Sequence, residues 1–417
     1  MRLRFVDRLR RVTRWVGERT DELVLSGLAV VFFLVAANTQ TGWLYLVSSI
    51  LAALLWIGYR GPRSNLGKLE AEHTVPRAGQ AGQPVTVRIR LRNASLRTRR
   101  HLVLIEPARP WQEEALERKF LVEELAPGAS LSRTYVATPR ARGAHQLPSV
   151  GLATAEPFGL FRATRALATG GVLLVHPSGP RLDRVLLTQS VRRRAYRERT
   201  FSRAGSSHDL RRVRSYAPGE DIRFIHWPST ARTGELMVRE FRESGSVGLH
   251  LAIDNAVNAE FGEYPATSLE DEVCSAAALV EYGDRMGLRL HLAAYDGGPQ
   301  WLANVRRNAV LDLLARITAE DPRSPVEWLE WLSRVVSGPG DLYVLTSRLL
   351  PVEAGTVLAG LGQVRTAVLY YPSCLYQPAQ ESLDAYRESR NRLELCGVTC
   401  RILPDRQRLS KFLEGRL

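Results

Sequence analysis

The stretch VGLHLAID, residues 247–254, decides how the C-terminal half of this chain is read. Apolar residues run through it without strict alternation and an aspartate closes it, as in a strand buried on both faces that ends in a polar turn. Ser268 to Gly287 has helical spacing, and Leu288 to Tyr295 is a second apolar run. Further on, Arg307 to Thr318 and Val326 to Val336 read as helices, Asp341 to Thr346 and Val364 to Tyr370 as strands. Glu381 to Leu395 reads as a helix, Val398 to Leu403 as a closing strand, and Leu409 to Leu413 as a last helix. Strands alternating with helices of this length need parallel crossovers, so residues 244–417 are expected to form a doubly wound α/β domain. Ligands of such sheets gather at the carboxyl ends of the strands, which directs attention to Asp254. Trp328 and Trp331 widen the apolar face of the helix SPVEWLEWLSRVV, a face expected to be buried on the sheet.

Immediately before this domain lies Ser215 to Phe241, SYAPGEDIRFIHWPSTARTGELMVREF, too polar for core. Pro218-Gly219 suits a tight turn; alternatively Asp221 caps a short helix carrying Ile222, Ile225 and His226. Arg214, Arg223, Arg232 and Arg239 stand near Asp209, Glu220, Asp221, Glu235 and Glu240 in sequence, and arginine's planar fork binds carboxylates bidentately. The stretch therefore reads as a charge-braced junction. It lacks a GxSxG elbow, an HExxH pair and a GxxxxGK[ST] loop, so no catalytic residue is assigned. His226 beside Trp227 reads as a packed histidine. The alternative is a hydrolase or nuclease acting on an anionic substrate through His208, Asp221 and His226.

Upstream, residues 182–243 comprise a basic connector, with Arg192-Arg193-Arg194, and this motif. Residues 66–177 carry short alternating runs such as Val85 to Arg92, with further strands expected at His101 to Ile105, Phe120 to Glu123, Ser132 to Ala137, Gly151 to Thr154 and Gly171 to Val175. That spacing suggests an all-β sandwich with arginine on its solvent face. Residues 1–63 hold a basic N-terminus and two apolar runs, Leu23 to Ala37 and Trp43 to Tyr59, joined by an uncharged turn. They read as a two-helix transmembrane hairpin. Arginine at its outer ends places both termini in the cytoplasm, with the bulk of the chain on the cytoplasmic side of the inner membrane.

The formal charge of +14 is almost wholly arginine, since lysine occurs only at Lys68, Lys119 and Lys411. That charge fits nucleic acid, an anionic bilayer or an acidic protein, and the lack of interleaved aromatic residues argues against a specific nucleic-acid groove. Cys274, Cys374, Cys396 and Cys400 form no CxxC pair, so zinc is not expected and the thiols are read as reduced and buried.

The run Arg214-x-Tyr216-x-Pro218-Gly219-Glu220-Asp221-x-Arg223-x-Ile225-His226-Trp227, followed by Ala231-Arg232-Thr233-Gly234 and LMVREF, resembles the signature of bacterial family 58 of the domains of unknown function. Glu156-Pro157-Phe158-Gly159-Leu160-Phe161-Arg162 and Arg142-Gly143 resemble that family's upstream region. Pro228 departs from the family's more usual basic or polar residue, and Glu220 replaces a frequent aspartate. The resemblance implies a membrane-anchored, non-catalytic protein whose C-terminal domain is similar to a von Willebrand factor A domain. It also implies a MoxR-type AAA+ ATPase as partner, in protein-complex assembly or envelope maintenance, with client proteins unspecified and no cofactor.

Such adhesion domains hold a magnesium-like ion on an Asp-x-Ser-x-Ser turn, whose hydroxyls and carboxylate supply hard oxygen ligands. Here the turn is Asp254-Asn255-Ala256-Val257-Asn258; Ala256 offers no ligand atom and Asn258 only an amide oxygen. Arg348 stands after Leu345-Thr346-Ser347, where such domains tend to carry an acid. The position is expected to be degenerate and recognition through it metal-independent.

Overall fold

In the computed structural model, residues 20–109, 111–112, 116–147, 149–187, 209–216, 225–242, 247–377 and 382–416 are described. They fall into two compact units, Met1–Arg140 with Ala144–Val175, and Ala141–Gly143 with His176–Leu417.

The first unit begins with two helices, Thr20–Thr39 and Gly42–Asn65, reversed about Gln40, whose φ is positive. They pack on one another: the Ser48 hydroxyl donates to the Ala29 carbonyl at 3.1 Å, and Phe33 meets Tyr45 edge-on. Much of the pair's apolar surface faces outward, with Leu46 64% and Trp56 65% exposed. Gly42–Asn65 is long and apolar enough to cross a membrane, whereas the apolar segment Leu23–Thr39 is shorter.

Ten strands follow: β1 (Leu69–Thr74), β2 (Ala78–Gln80), β3 (Val85–Asn93), β4 (Arg99–Glu106), β5 (Arg118–Leu125), β6 (Ser130–Ala137), β7 (Gly143–Gln146), β8 (Ser149–Thr154), β9 (Ala163–Ala168) and β10 (Val172–His176). The antiparallel sheets β1–β3–β6 and β5–β4–β8–β9 bury their inward residues in one core, among them Val87, Ile89, Leu91, Leu102, Leu104, Leu152 and Tyr135. Strand β3 alternates buried and exposed along its whole length, which puts Arg88, Arg90 and Arg92 in solvent. The small sheet β2–β10–β7 lies over a second cluster around Leu147, Leu173 and Val175.

In the second unit, β11 (Asp209–Ser215) pairs antiparallel with β12 (Met237–Arg242). After them comes a six-stranded sheet of β13 (Gly248–Ile253), β14 (Arg289–Tyr295), β15 (Pro299–Val305), β16 (Gly340–Thr346), β17 (Val364–Tyr370) and β18 (Thr399–Ile402). Its order is β15–β14–β13–β16–β17–β18, parallel except for β15 at the edge. The order reverses at β13, so chain direction diverges between β13 and β16. Helices Ser268–Met286 and Arg307–Arg316 share one core with Leu249, Leu251 and Ile253, and helix Pro325–Val335 shares the other with Ala252, Leu342 and Val344. Period-2 alternation thus sends β13 into both cores, which is why VGLHLAID is apolar throughout.

Two expectations need correction. Residues 182–187, assigned by sequence to a basic connector outside the α/β domain, belong to the second unit: Leu182, Val185 and Leu187 are buried in the core around helix Ser268–Met286. The Leu187 N–H donates to the Tyr343 hydroxyl and Leu186 N–H to the Leu413 carbonyl, both at 3.1 Å. The leucines, not the arginines around them, decide where this segment goes. The cysteines are all free, but only Cys400 is buried; Cys274 and Cys374 are half-buried and Cys396 is exposed. Burial pushes the thiols of Cys274 and Cys400 up to about 12, which leaves both unreactive at neutral pH.

Candidate functional site

Where β13 and β16 diverge, their carboxyl ends bring Asp254 next to Thr346, Ser347 and Arg348. Asp254 is 1% exposed, and its backbone N–H donates to the Leu345 carbonyl at 3.0 Å. The Arg348 guanidinium holds the carboxylate with both arms, Nε to Oδ2 at 2.9 Å and Nη2 to Oδ1 at 2.5 Å, while the Thr346 hydroxyl donates to Oδ2 at 2.8 Å. Arg348 is itself oriented: Nη1 donates to the Arg323 carbonyl at 3.2 Å and to Asn258 Oδ1 at 3.4 Å, and its backbone N–H reaches Thr346 Oγ1 at 3.1 Å. A planar guanidinium with five donors satisfies both oxygens of a buried carboxylate in a way a point charge does not.

The flanking residues are structural in the same sense. Asn255 donates to the carbonyls of Tyr295 and Thr318 and accepts the Tyr295 N–H, so it ties the turn after β13 to the end of β14. Ala256 is buried and bridges to Asp321, which is gripped by Arg323. Asn258 is exposed. Below the Asp254–Arg348 pair, Glu272 of helix Ser268–Met286 is fully buried. The Ser347 hydroxyl donates to its Oε1 at 2.5 Å, and Oε2 has no partner among the described residues. Burial raises the Glu272 pKa well above the usual carboxylate range, with Asp254 adding to the shift and the Ser347 bond opposing it. The protonated form, which burial favours, adds no net charge beside an already neutralised pair. Among the described residues no three His, Cys, Asp or Glu side chains converge as a metal site.

The motif before β13 is only partly described. Pro218, Gly219, Glu220, Asp221 and Arg223 lie outside the described residues, as does His208, so part of the charge brace and two of the three members of the alternative catalytic set, His208 and Asp221, fall there. What is described is a small module with β12 at its centre. Arg214 contributes its backbone to β11, in register with Val238, and Tyr216 N–H donates to the Leu236 carbonyl at 2.8 Å. Ile225, buried at 5%, bridges to Val238. His226 N–H donates to the Met237 carbonyl at 2.7 Å, and its ring caps the helix Trp227–Thr233: Nδ1 lies 2.7 Å from Ser229 Oγ and accepts the Ser229 N–H at 3.3 Å. The cap fixes that nitrogen as an acceptor and gives His226 a local structural task. Pro228 sits in the first helical turn, where a missing N–H costs nothing, and so accounts for itself. Trp227, Ala231 and Arg232 are exposed. Gly234 ends the helix with φ 77°, its N–H donating to the Thr230 carbonyl.

Sequence reading singled out Asp254, Ala256, Asn258 and Arg348, and the fold brings them to the adjoining carboxyl ends of β13 and β16. It missed Thr346 and Ser347 as participants, and Glu272 altogether. An acid at helical spacing inside Ser268–Met286, on the apolar face with Val273 and Ala276, was the available signal. A cavity of about 390 Å³ lies elsewhere, in the first unit, lined by His101, Val103, Leu121, Glu156 and Arg162 among others.

Residues 212–363 match the family described as "Protein of unknown function DUF58". The uncharacterized protein YeaD of Bacillus subtilis (strain 168) is 28% identical over 139 residues, 32% of this chain and 33% of that protein. The chain thus spans about a third of the length of the curated relative it matches. Among solved structures, a GH20 exo β-N-acetylglucosaminidase from Vibrio harveyi is similar with a TM-score of 0.21 and 10% identity, covering 83% of this chain and 59% of that one. A β-glucosidase from Listeria innocua gives 0.14 and 15% identity over 25% of this chain and 16% of its own. The sporulation control protein Spo0M from Bacillus subtilis gives 0.15 and 11% over 26% and 50%. Likenesses of this size carry no argument about fold or activity.

Proposed function

Residues 212–363 belong to the DUF58 family of unknown function, and from that premise we propose that this chain is a membrane-anchored interaction protein without catalytic activity, whose C-terminal domain docks a MoxR-type AAA+ ATPase. The two apolar helices are its bilayer hairpin, with both termini and the two compact units in the cytoplasm. The C-terminal sheet, with its β15–β14–β13–β16–β17–β18 order, is von Willebrand factor A-like, and its strand ends at the β13–β16 divergence form the docking edge.

One observation carries the reading. The carboxylate that a von Willebrand-type domain offers to a divalent ion is here engaged by Arg348 and Thr346. An acid whose lone pairs are spent on a guanidinium neither binds a metal nor acts as a base, so what this edge presents is shape and hydrogen-bonding groups. His226, the described member of the alternative hydrolase set, is occupied as a helix cap, which favours the interaction reading over that one.

The test is co-purification of the full chain, extracted from membranes in mild detergent, with a MoxR-type ATPase from the same genome, in ATP and in ADP. Retention in at least one nucleotide state, undiminished by EDTA, is expected. Failure in both states overturns the partnership, and loss on chelation overturns its metal independence.

A further inference from the structure

The helix Gly42–Asn65 does not simply run into the β-domain; near its end a loop of that domain is pressed onto it. Gly58 and Gly61, three apart and therefore on one face, leave the room. A Cβ at Gly58 would lie 2.9 Å from Phe161 Cδ2, and one at Gly61 would lie 2.8 Å from Pro157 Cδ. Tyr59 meets Phe161 edge-on at 6.1 Å, and Asn65 Nδ2 donates to Thr154 Oγ1 at 3.2 Å and to Glu156 Oε2 at 3.4 Å. Thus the loop Glu156–Arg162 is fastened at the level of Gly58, yet Phe158 within it remains 47% exposed.

That level is where the helix changes character. Trp43 and Trp56 stand about 20 Å apart along the axis at ~1.5 Å per residue, both more than three-fifths exposed. Beyond Trp56 basic residues join the outward face alongside Ile57 and Tyr59: the Arg60 guanidinium lies 5.8 Å from the Trp56 ring and that of Arg63 lies 3.7 Å from the Tyr59 ring. Aromatic rings with arginines stacked on them mark the boundary between acyl chains and headgroups. Arg162, exposed at the end of the loop, adds a further cation to the loop that carries the exposed Phe158.

We propose that the Glu156–Arg162 loop is a second bilayer contact, with Phe158 set into the acyl boundary and Arg162 joining Arg60 and Arg63 on anionic lipid headgroups, so that the β-domain is held against the membrane and does not hang from it. The proposal rests on the reading of the helix pair as membrane-spanning. Its occupant is an anionic lipid surface, chosen by the basic charge around Phe158 and by the continuity of the loop with the apolar helix.

The experiment places the photo-crosslinking residue p-benzoylphenylalanine at Leu46, Phe158 or Val136 in separate full-length chains. These are reconstituted into vesicles of phosphatidylcholine with equal phosphatidylglycerol, or of phosphatidylcholine alone. Val136 is an exposed residue of β6 opposite Thr86, about 23 Å along β3 from Asn93 at ~3.3 Å per residue, and Asn93 pairs with Leu69 just after the helix. Lipid adducts are expected at Leu46 and Phe158 and not at Val136, with the Phe158 yield at least twofold higher on the anionic vesicles. Adducts at Leu46 without any at Phe158 overturn the second contact and leave the anchor standing. No adducts at Leu46 overturn the anchor itself. Equal Phe158 yields on the two vesicle types, or equal yields at Phe158 and Val136, also overturn the proposal.

Discussion

Arg348 holds Asp254 through two parallel hydrogen bonds in a site from which water is almost excluded. Neither partner can be removed alone without stranding the other. Arg348→Ala is expected to cost about 3–5 kcal/mol, the usual penalty for an orphaned buried charge. Asp254→Asn combined with Arg348→Met is expected to recover most of that loss, because it removes both charges together. Urea midpoints of the two variants check this; equal losses would mean the pair is not coupled.

The same variant gives a metal prediction. With the guanidinium gone, the oxygens of Asp254, Thr346 and Asn258 surround a vacated space suited to a hard cation. Magnesium is expected to raise the melting temperature of Arg348→Ala, while neither magnesium nor EDTA shifts that of the natural chain. A fall in the natural chain's melting temperature on chelation would refute the metal independence of this strand end.

Glu272 has a raised pKa in the folded state, so between its ordinary value and that raised value the folded chain holds a proton that the unfolded chain releases. Its contribution to stability is therefore present at low pH and lost as pH rises through the folded pKa. Glu272→Gln keeps the shape and the bond from Ser347 without the titration. The variant is expected to be more stable than the natural chain at pH 8 and close to it at pH 4, read as urea midpoints. The reverse order at pH 8 would mean that the carboxyl is ionised in place.

His250 has the opposite sign. It is 1% exposed, stacked on His291 with centroids 4.3 Å apart and parallel to Trp301 at 6.0 Å, and neither ring nitrogen has a hydrogen-bond partner among the described residues. Burial, with His291 adding to it, pushes its pKa down to about 4. Between about 6.5 and 4 the unfolded chain takes a proton that the folded chain refuses, so stability falls with falling pH by an amount on the order of 3 kcal/mol. His250→Phe is expected to flatten that acid limb and leave stability at pH 8 within about 1.5 kcal/mol, since the ring volume is nearly kept. An unchanged acid limb would clear His250 of the effect.

Leu182 tests where the second unit begins. It is 1% exposed in the core around helix Ser268–Met286, so Leu182→Ala is expected to cost roughly 2–5 kcal/mol by cavity formation. An unmoved urea midpoint would return residues 182–187 to the role of solvated linker.

Much of this architecture was legible where chemistry is local. The runs at 247–253, 288–295, 341–346, 364–370 and 398–403 became β13, β14, β16, β17 and β18, because strands buried on both faces must be apolar throughout. Strand β15 was not read. It opens on Pro299, lies at an edge and has a partner on one side only, so burial imposes little pattern on it. The six-residue helix Ala354–Ala359 is too short for a 3.6-residue period to appear. At the candidate site, the lack of an oxygen ligand on Ala256 was visible in the sequence itself. The grip of Arg348 on Asp254 spans 94 residues, and the burial of Glu272 beneath it depends on which helix face the sheet covers. Neither is a property of any local window.

Strand β13 lies in the middle of its sheet, hydrogen-bonded in parallel to β14 on one side and β16 on the other, and the chain reaches it directly from the β11–β12 module. A pull transmitted along the backbone from its N-terminal side therefore loads two ladders at once and in shear. It cannot peel one strand from an edge, bond by bond. A partner that works mechanically on this protein would meet its greatest resistance at Gly248–Ile253, and the edge strand β15 would be the place to begin unravelling it.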